Sequence, residues 1–161
     1  AVRDFTTPMQ FERLKKQINI ETETAVRQLD SILSAPEAKY IDEITIGCSD
    51  LSGSMKKPRW DTSFMAQVVK VVKIIQRKNI PVSVGGGISP ETIDGFLEQV
   101  RPDKFNTRVI TFKVEPGRDY REAVQSALRF EILMLEHDSS RKFISRDEEK
   151  FRIKELKKRW K

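Results

Sequence analysis

Glu21 and Asp50 are the carboxylates whose placement points to chemistry. Glu21 closes the run Ile18-Asn19-Ile20, and Asp50 follows the run Ile41 to Gly47. If both runs are neighbouring strands of a parallel sheet, the two side chains stand at corresponding strand ends, ~4.8 Å apart and within reach of one ion. Two carboxylates, with the remaining positions left to water and substrate oxygens, suit Mg2+ or Mn2+ rather than Zn2+. The same residues also admit a structural use. Glu21 would favour the dipole of a following helix, and Asp50 would stabilise an Asp50-Leu51-Ser52-Gly53 turn.

A second group of residues bears on anions. Gly85-Gly86-Gly87 follows a strand and precedes Ser89-Pro90, a helix start, so backbone N–H groups of Gly86 and Gly87 can approach an anion there. A tight strand-to-helix turn with positive φ explains the glycines equally. The pattern is neither a P-loop nor a dinucleotide fingerprint. Ser52, Ser54 and Lys56 stand after Asp50, where substrate oxygens would approach an ion or where an ordinary loop would run. Arg108 is a charge inside the apolar run Phe105 to Phe112, suited to a substrate carboxylate if it points inward and to a neighbouring acid if it lies at the rim. Cys48 reads as a small buried side chain, and His137 as a cation suited to a helix end.

These residues must be positioned by a modest chain. It has 161 residues, 30 Lys+Arg, 24 Asp+Glu, one Cys and one His. One domain is expected, and a zinc site of four cysteines, or of two cysteines and two histidines, is arithmetically impossible. No apolar run reaches the ~18 residues that span a bilayer, and no signal-peptide core is present, so a cytoplasmic setting is the expectation. Positive charge gathers at Lys150 to Lys161, with seven basic residues against Glu155. Ser145 with Glu148 fits a capping box, and Phe151, Ile153, Leu156 and Trp160 mark the apolar side of a terminal helix. Nucleic-acid contact through this tail has only composition behind it.

Short β-branched runs alternate with helical stripes, the pattern of parallel βα units. The runs are Ile18 to Thr22, Ile41 to Gly47, Ile80 to Gly85 and Phe105 to Phe112, with a stub at Ala1 to Phe5 as a further strand and a brief helix around Phe11 and Leu14. The stripes are Val26-Leu29-Ile32-Leu33, then Phe64-Val68-Val71-Val72-Ile75 capped by Asp61, then Ile93 to Val100 capped by Ser89. A last stripe, with Val124, Ala127, Leu128, Leu133 and Leu135, spans about 119–137. Four units do not close a barrel, because a (β/α)8 barrel needs ~250 residues. The expectation is an α/β fold, a partial TIM barrel forming its C-terminal half over about 1–137, with an amphipathic helix over about 144–161. An open doubly wound sheet fits the same length but lacks the usual Gly-rich first turn.

The segments Ile18-Asn19-Ile20-Glu21-Thr22 and Ile41-Asp42-Glu43-Ile44-Thr45-Ile46-Gly47-Cys48-Ser49-Asp50-Leu51-Ser52 resemble the two metal-binding strands of the class II pyruvate aldolase and citrate lyase beta-subunit family. A looser likeness runs through Ser83 to Ser89 and Phe105 to Phe112. The resemblance implies a (β/α)8 barrel, a divalent ion held by Glu21 and Asp50, and an α-keto acid substrate of the pyruvate or oxaloacetate kind. It also implies lyase chemistry in which the ion stabilises an enolate. Family members carry a substrate-binding Arg and acid–base residues on earlier strands that this chain does not supply, so no catalytic residue is assigned. The chain is then a lyase domain incomplete alone, closed by a second copy or by a complementing N-terminal half. The alternative is a non-catalytic α/β binding or assembly module with structural carboxylates.

Overall fold

The computed structural model of the chain describes residues 2–160. Five strands form one sheet whose spatial order follows the sequence: β1 (Gln17–Ile20), β2 (Glu43–Gly47), β3 (Val82–Gly85), β4 (Lys104–Asn106) and β5 (Thr111–Lys113). The first four are parallel, and β5 runs antiparallel to β4. The run Phe105 to Phe112, expected as one strand, is therefore a hairpin. Thr107 folds it back, donating its N–H to the Ile110 carbonyl and accepting the Ile110 N–H on its hydroxyl. A (β/α)8 barrel contains only parallel strands. This sheet keeps the βα units of the expected half-barrel but ends in a hairpin, and among the described residues it stays open.

The helices are α1 (Pro8–Arg13), α2 (Glu23–Arg27), α3 (Leu29–Ser34), α4 (Cys48–Met55), α5 (Thr62–Gln76), α6 (Ile93–Val100), α7 (Arg121–Ser140) and α8 (Arg146–Lys157). The stub read as a strand is instead a 3-10 turn at Val2–Phe5, while Ala1 and Lys161 lie outside the described residues. Local chemistry explains the boundaries. Asp61 caps α5 by accepting the Ser63 and Phe64 N–H groups at 2.9 and 3.2 Å. Ser89 and Thr92 each accept the other's N–H at 3.2 Å, fixing the turn that leads into α6. Ser145 accepts the Glu148 N–H at 3.1 Å. The Glu148 carboxylate turns to Arg152, so half of the expected capping box forms.

The sheet has two different faces. Ile20, Ile44, Ile46, Val82, Val84 and Phe105 belong to the core cluster, with the partly buried Ile18 packed against it, together with the apolar stripes of α5, α6 and α7. Side chains alternate along a strand, and the opposite face carries Gln17, Asn19, Glu43, Thr45, Ser83, Lys104 and Asn106. These polar groups bond across the strands: Gln17 Nε2 donates to Thr45 Oγ1, Thr45 Oγ1 lies 2.5 Å from Ser83 Oγ, and Asn106 Nδ2 donates to Ser83 Oγ at 3.2 Å. Lys104 reaches Glu43 at 2.5 Å. Buried polar atoms are costly unless paired, and this network pairs those of Thr45 and Ser83.

At the far edge Phe105 and Phe112 stack at 4.8 Å, with Tyr120 edge-on to both. The Tyr120 hydroxyl donates to the Lys113 carbonyl and accepts the Glu115 N–H, tying the hairpin to the start of α7. Two residues leave their expected stripes: Leu133 is 62% exposed on α7, where Glu131 is buried in its place, and Phe151 is 64% exposed on α8. Only Leu156 anchors α8 as a fully buried side chain.

Candidate functional site

Every parallel strand directs its C-terminal end toward one cavity of about 700 Å³. Glu21 follows β1, Asp50 lies on the first turn of α4 just beyond β2, Gly86 and Gly87 follow β3, and Arg108 sits in the β4–β5 turn; all line it. Volumes of this order are those of small-molecule sites.

The two carboxylates owe their placement to β2 ending in glycine. A Cβ at Gly47 would lie 2.7 Å from Glu21 Cγ and Oε1, so the Glu21 side chain crosses the end of β2 through space that any other residue would fill. Asp50 is held one helical turn further on, where the α4 dipole favours its charge. The expected Asp50-to-Gly53 turn is corrected: these residues are helical. Among the described residues neither carboxylate has a basic side chain within 4 Å. Glu21 Oε1 accepts only a long bond from Asn19 Nδ2, at 3.3 Å. An all-oxygen pair without a counter-ion fits a hard divalent cation. Among the described residues no group of three or more His, Cys, Asp and Glu side chains is arranged to hold a metal. An ion at Glu21 and Asp50 would take its other positions from water and substrate.

The glycine loop is packed against the start of α4. At φ +104° and +77°, Gly86 and Gly87 adopt conformations that disfavour other residues. A Cβ on Gly86 would lie 2.6 Å from Ser49 N, and one on Gly87 would lie 2.5 Å from Arg59 Nη1. Arg59 is thereby seated over the loop, donating to Ser49 Oγ at 3.0 Å. Nothing in the sequence singled it out.

Ser52 does not belong to the site: it is helical, its hydroxyl donates to the Ser49 carbonyl at 3.0 Å, and it does not line the cavity. Ser54 accepts the Glu23 N–H, and Lys56 is the left-handed C-cap of α4. Arg108 is 60% exposed at the rim, with Nε 3.9 Å from Glu131 Oε1. Asn106 also lines the cavity, and its Oδ1 is buried without a hydrogen-bond partner. A polar residue between Phe105 and Thr107 was its only signal in the sequence. Burial pushes the Cys48 thiol up to about 12, and nearby Arg59 offsets this only in part. His137 is exposed and remote from the cavity.

The basic C-terminal segment forms the remaining wall. Glu155, Lys158 and Arg159 line the cavity, brought there by the packing of α8 on α7. Lys158 pairs with Glu155 at 2.5 Å. Arg159 Nη2 lies 3.9 Å from Oε2 of the buried Glu131. Desolvation lowers the pKa of Arg159, opposed by Glu131 and reinforced by the positive charges of Arg59 and Arg108.

No family model matches the chain, and no curated protein does. Among solved structures there is a distant, partial similarity to an HpcH/Hpal aldolase/citrate lyase family protein from Burkholderia cenocepacia J2315. The TM-score is 0.49 and the identity 15%, over 62% of this chain and 37% of that one. The chain thus spans little more than a third of the length of that structure. Among the described residues no helix is long and apolar enough to cross a membrane.

Proposed function

We propose that the chain is the metal- and substrate-binding portion of a carbon–carbon lyase acting on an α-keto acid of the pyruvate or oxaloacetate kind. The observation that carries this reading is the pair Glu21 and Asp50, without basic partners, facing one cavity at the C-terminal ends of adjacent parallel strands. Parallel α/β sheets bind ligands at those ends. The motifs surrounding both residues are those that resemble the metal-dependent aldolase and citrate lyase beta-subunit family.

In this reading Glu21 and Asp50 hold Mg2+ or Mn2+. A bound divalent ion supplies Lewis-acid stabilisation of the enolate formed as a C–C bond breaks or forms. The chain's own residues bind and orient. Gly47 leaves room for the Glu21 carboxylate, the polar sheet face holds Asn106 beside the cavity, and α8 covers one side of it. No acid–base residue is assigned; it would come from a complementing barrel half or a second copy, added at the free edge of β1.

The test is Mn2+ binding followed by the loss of free-ion signal in electron paramagnetic resonance, with thermal melts in parallel. A ligand that binds only the folded state stabilises by RT ln(1 + [L]/Kd), about 2.7 kcal/mol at a hundredfold excess. Glu21→Gln and Asp50→Asn are each expected to abolish binding and the gain. Parent-like binding by the double variant, or no binding by the parent at millimolar ion, refutes the assignment. The latter result favours the second reading, a non-catalytic α/β module.

A further inference from the structure

The cavity carries more positive charge than the Glu21 and Asp50 assignment uses. Three guanidinium groups, from Arg59, Arg108 and Arg159, share it, and they come from three separate parts of the chain. None of them makes a hydrogen-bonded ion pair among the described residues. Arg59 has only the Ser49 hydroxyl, at 3.0 Å. Arg108 and Arg159 stand 3.9 Å from opposite oxygens of Glu131, beyond hydrogen-bond distance, and Glu131 Oε2 is left with no hydrogen bond. One buried carboxylate thus faces two guanidiniums and satisfies neither.

Ordinary structural pairing does not account for this. Three carboxylates, Glu21, Asp50 and Glu155, also line the cavity, yet among the described residues none comes within 4 Å of an arginine, and Glu155 pairs with Lys158 instead. Arg159 is three-quarters buried, and its acidic partner Glu131, 3.9 Å away and shared with Arg108, offers it no hydrogen bond, a poor return for a desolvated guanidinium. Like charges gathered in a partly desolvated cleft repel one another, and an anion relieves that repulsion while engaging the fork of N–H donors that arginine presents. The volume, about 700 Å³, suits a small molecule rather than a polymer strand.

We propose that Arg59, Arg108 and Arg159 form an oxyanion subsite for a phosphate or carboxylate group on the part of the substrate remote from the keto acid. This extends the lyase reading, and rests on it only for what occupies the Glu21 and Asp50 end. Binding of the anion itself needs no metal.

The experiment is calorimetric titration of the full chain, in EDTA, with inorganic phosphate and separately with malonate, against chloride at matched ionic strength. Saturable millimolar binding of either probe is expected. Preference for phosphate identifies a phosphate ester, and preference for malonate a second carboxylate. Arg59→Gln and Arg159→Gln should each weaken binding at least tenfold. Lys157→Gln, an exposed change of the same charge on the same helix that does not line the cavity, should leave it unaltered. Glu21→Gln should bind the probes as well as the parent or better, which separates failure of this subsite from failure of the metal assignment. Should Arg159→Gln unfold by orphaning Glu131, Arg59→Gln in its exposed loop still decides. The proposal is overturned if neither probe binds above chloride, if Lys157→Gln weakens binding as much as Arg59→Gln does, or if a single-stranded oligonucleotide displaces the probe.

Discussion

Gly47→Ala tests the geometry of the carboxylate pair with little disturbance to the fold. The backbone at Gly47 has φ −87° and ψ 87°, which alanine tolerates, so the substitution itself restricts the unfolded chain and stabilises by ~0.4–1 kcal/mol. Against this, the new Cβ would fall 2.7 Å from Glu21 Cγ and Oε1. The obstructed atoms are the far end of a flexible side chain, which swings aside and gives up its exposed bond from Asn19, a loss of ~0.5–1.5 kcal/mol. The two effects nearly cancel. Net stability should change by less than ~1 kcal/mol, a melting shift of at most about 4 °C for a chain this size. Ion affinity should respond quite differently, because losing even a residue that only orients a metal ligand typically costs ~10–100-fold, and displacing the ligand itself costs no less. The expected outcome is a near-parental melt in EDTA with Mn2+ binding weakened at least tenfold. Parental Mn2+ affinity in Gly47→Ala would refute the argument that Glu21 reaches its ion across the end of β2. A fall in melting temperature above about 8 °C would refute the claim that Glu21 alone occupies that space.

Acid should erode the fold through capped carboxylates. The Ser63 hydroxyl, with the Phe64 and Ser63 N–H groups, holds Asp61 below the usual carboxylate range, and the Lys16 N–H and ammonium do the same for Asp42. Groups with depressed folded pKa values contribute stability that is complete above about pH 4 and is lost as pH falls through the lower folded values. Melting temperature should therefore decline as pH falls below about 4, less steeply in Asp61→Asn; identical slopes would contradict the assignment. Cys48, with its thiol pushed up to about 12, should resist alkylation at pH 8 until the chain unfolds. Labelling of the native protein at the rate of free cysteine would show that it is not buried.

The βα units and helix starts were legible because each has a local cause: alternation in the runs, Asp61 at its cap, Ser89 before Pro90. That Glu21 and Asp50 would face one cavity was legible for a related reason, since strand ends in a parallel sheet converge whatever lies between them. Arg59 and Arg159 were not, because their meeting depends on α8 folding back against α7, which no spacing in the sequence encodes. The hairpin at Thr107 was hidden because the segment from Phe105 to Phe112 has neither Gly nor Pro at its turn. The polar face of the sheet was not legible either: Val and Ile face the helices, and the other face bears Gln17, Thr45, Ser83 and Asn106. In strands this short, one or two polar positions per strand are easily passed over as interruptions.

The hairpin also gives the sheet a polarity of growth. At one side β5 is three residues long, reversed in direction and flanked by exposed Thr111 and Lys113, features that discourage a further strand from docking. At the other side β1 is four residues long, parallel to its neighbour, and carries uncharged Gln17 and Asn19. Recruitment of another strand is thus one-sided. It would extend the polar face beside Asn19 and so add side chains next to Glu21, while leaving the wall of arginines at the hairpin end untouched. If a strand does join at β1, sequence changes there would alter that contact without altering what Arg108 and Arg159 meet at the cationic end of the cavity.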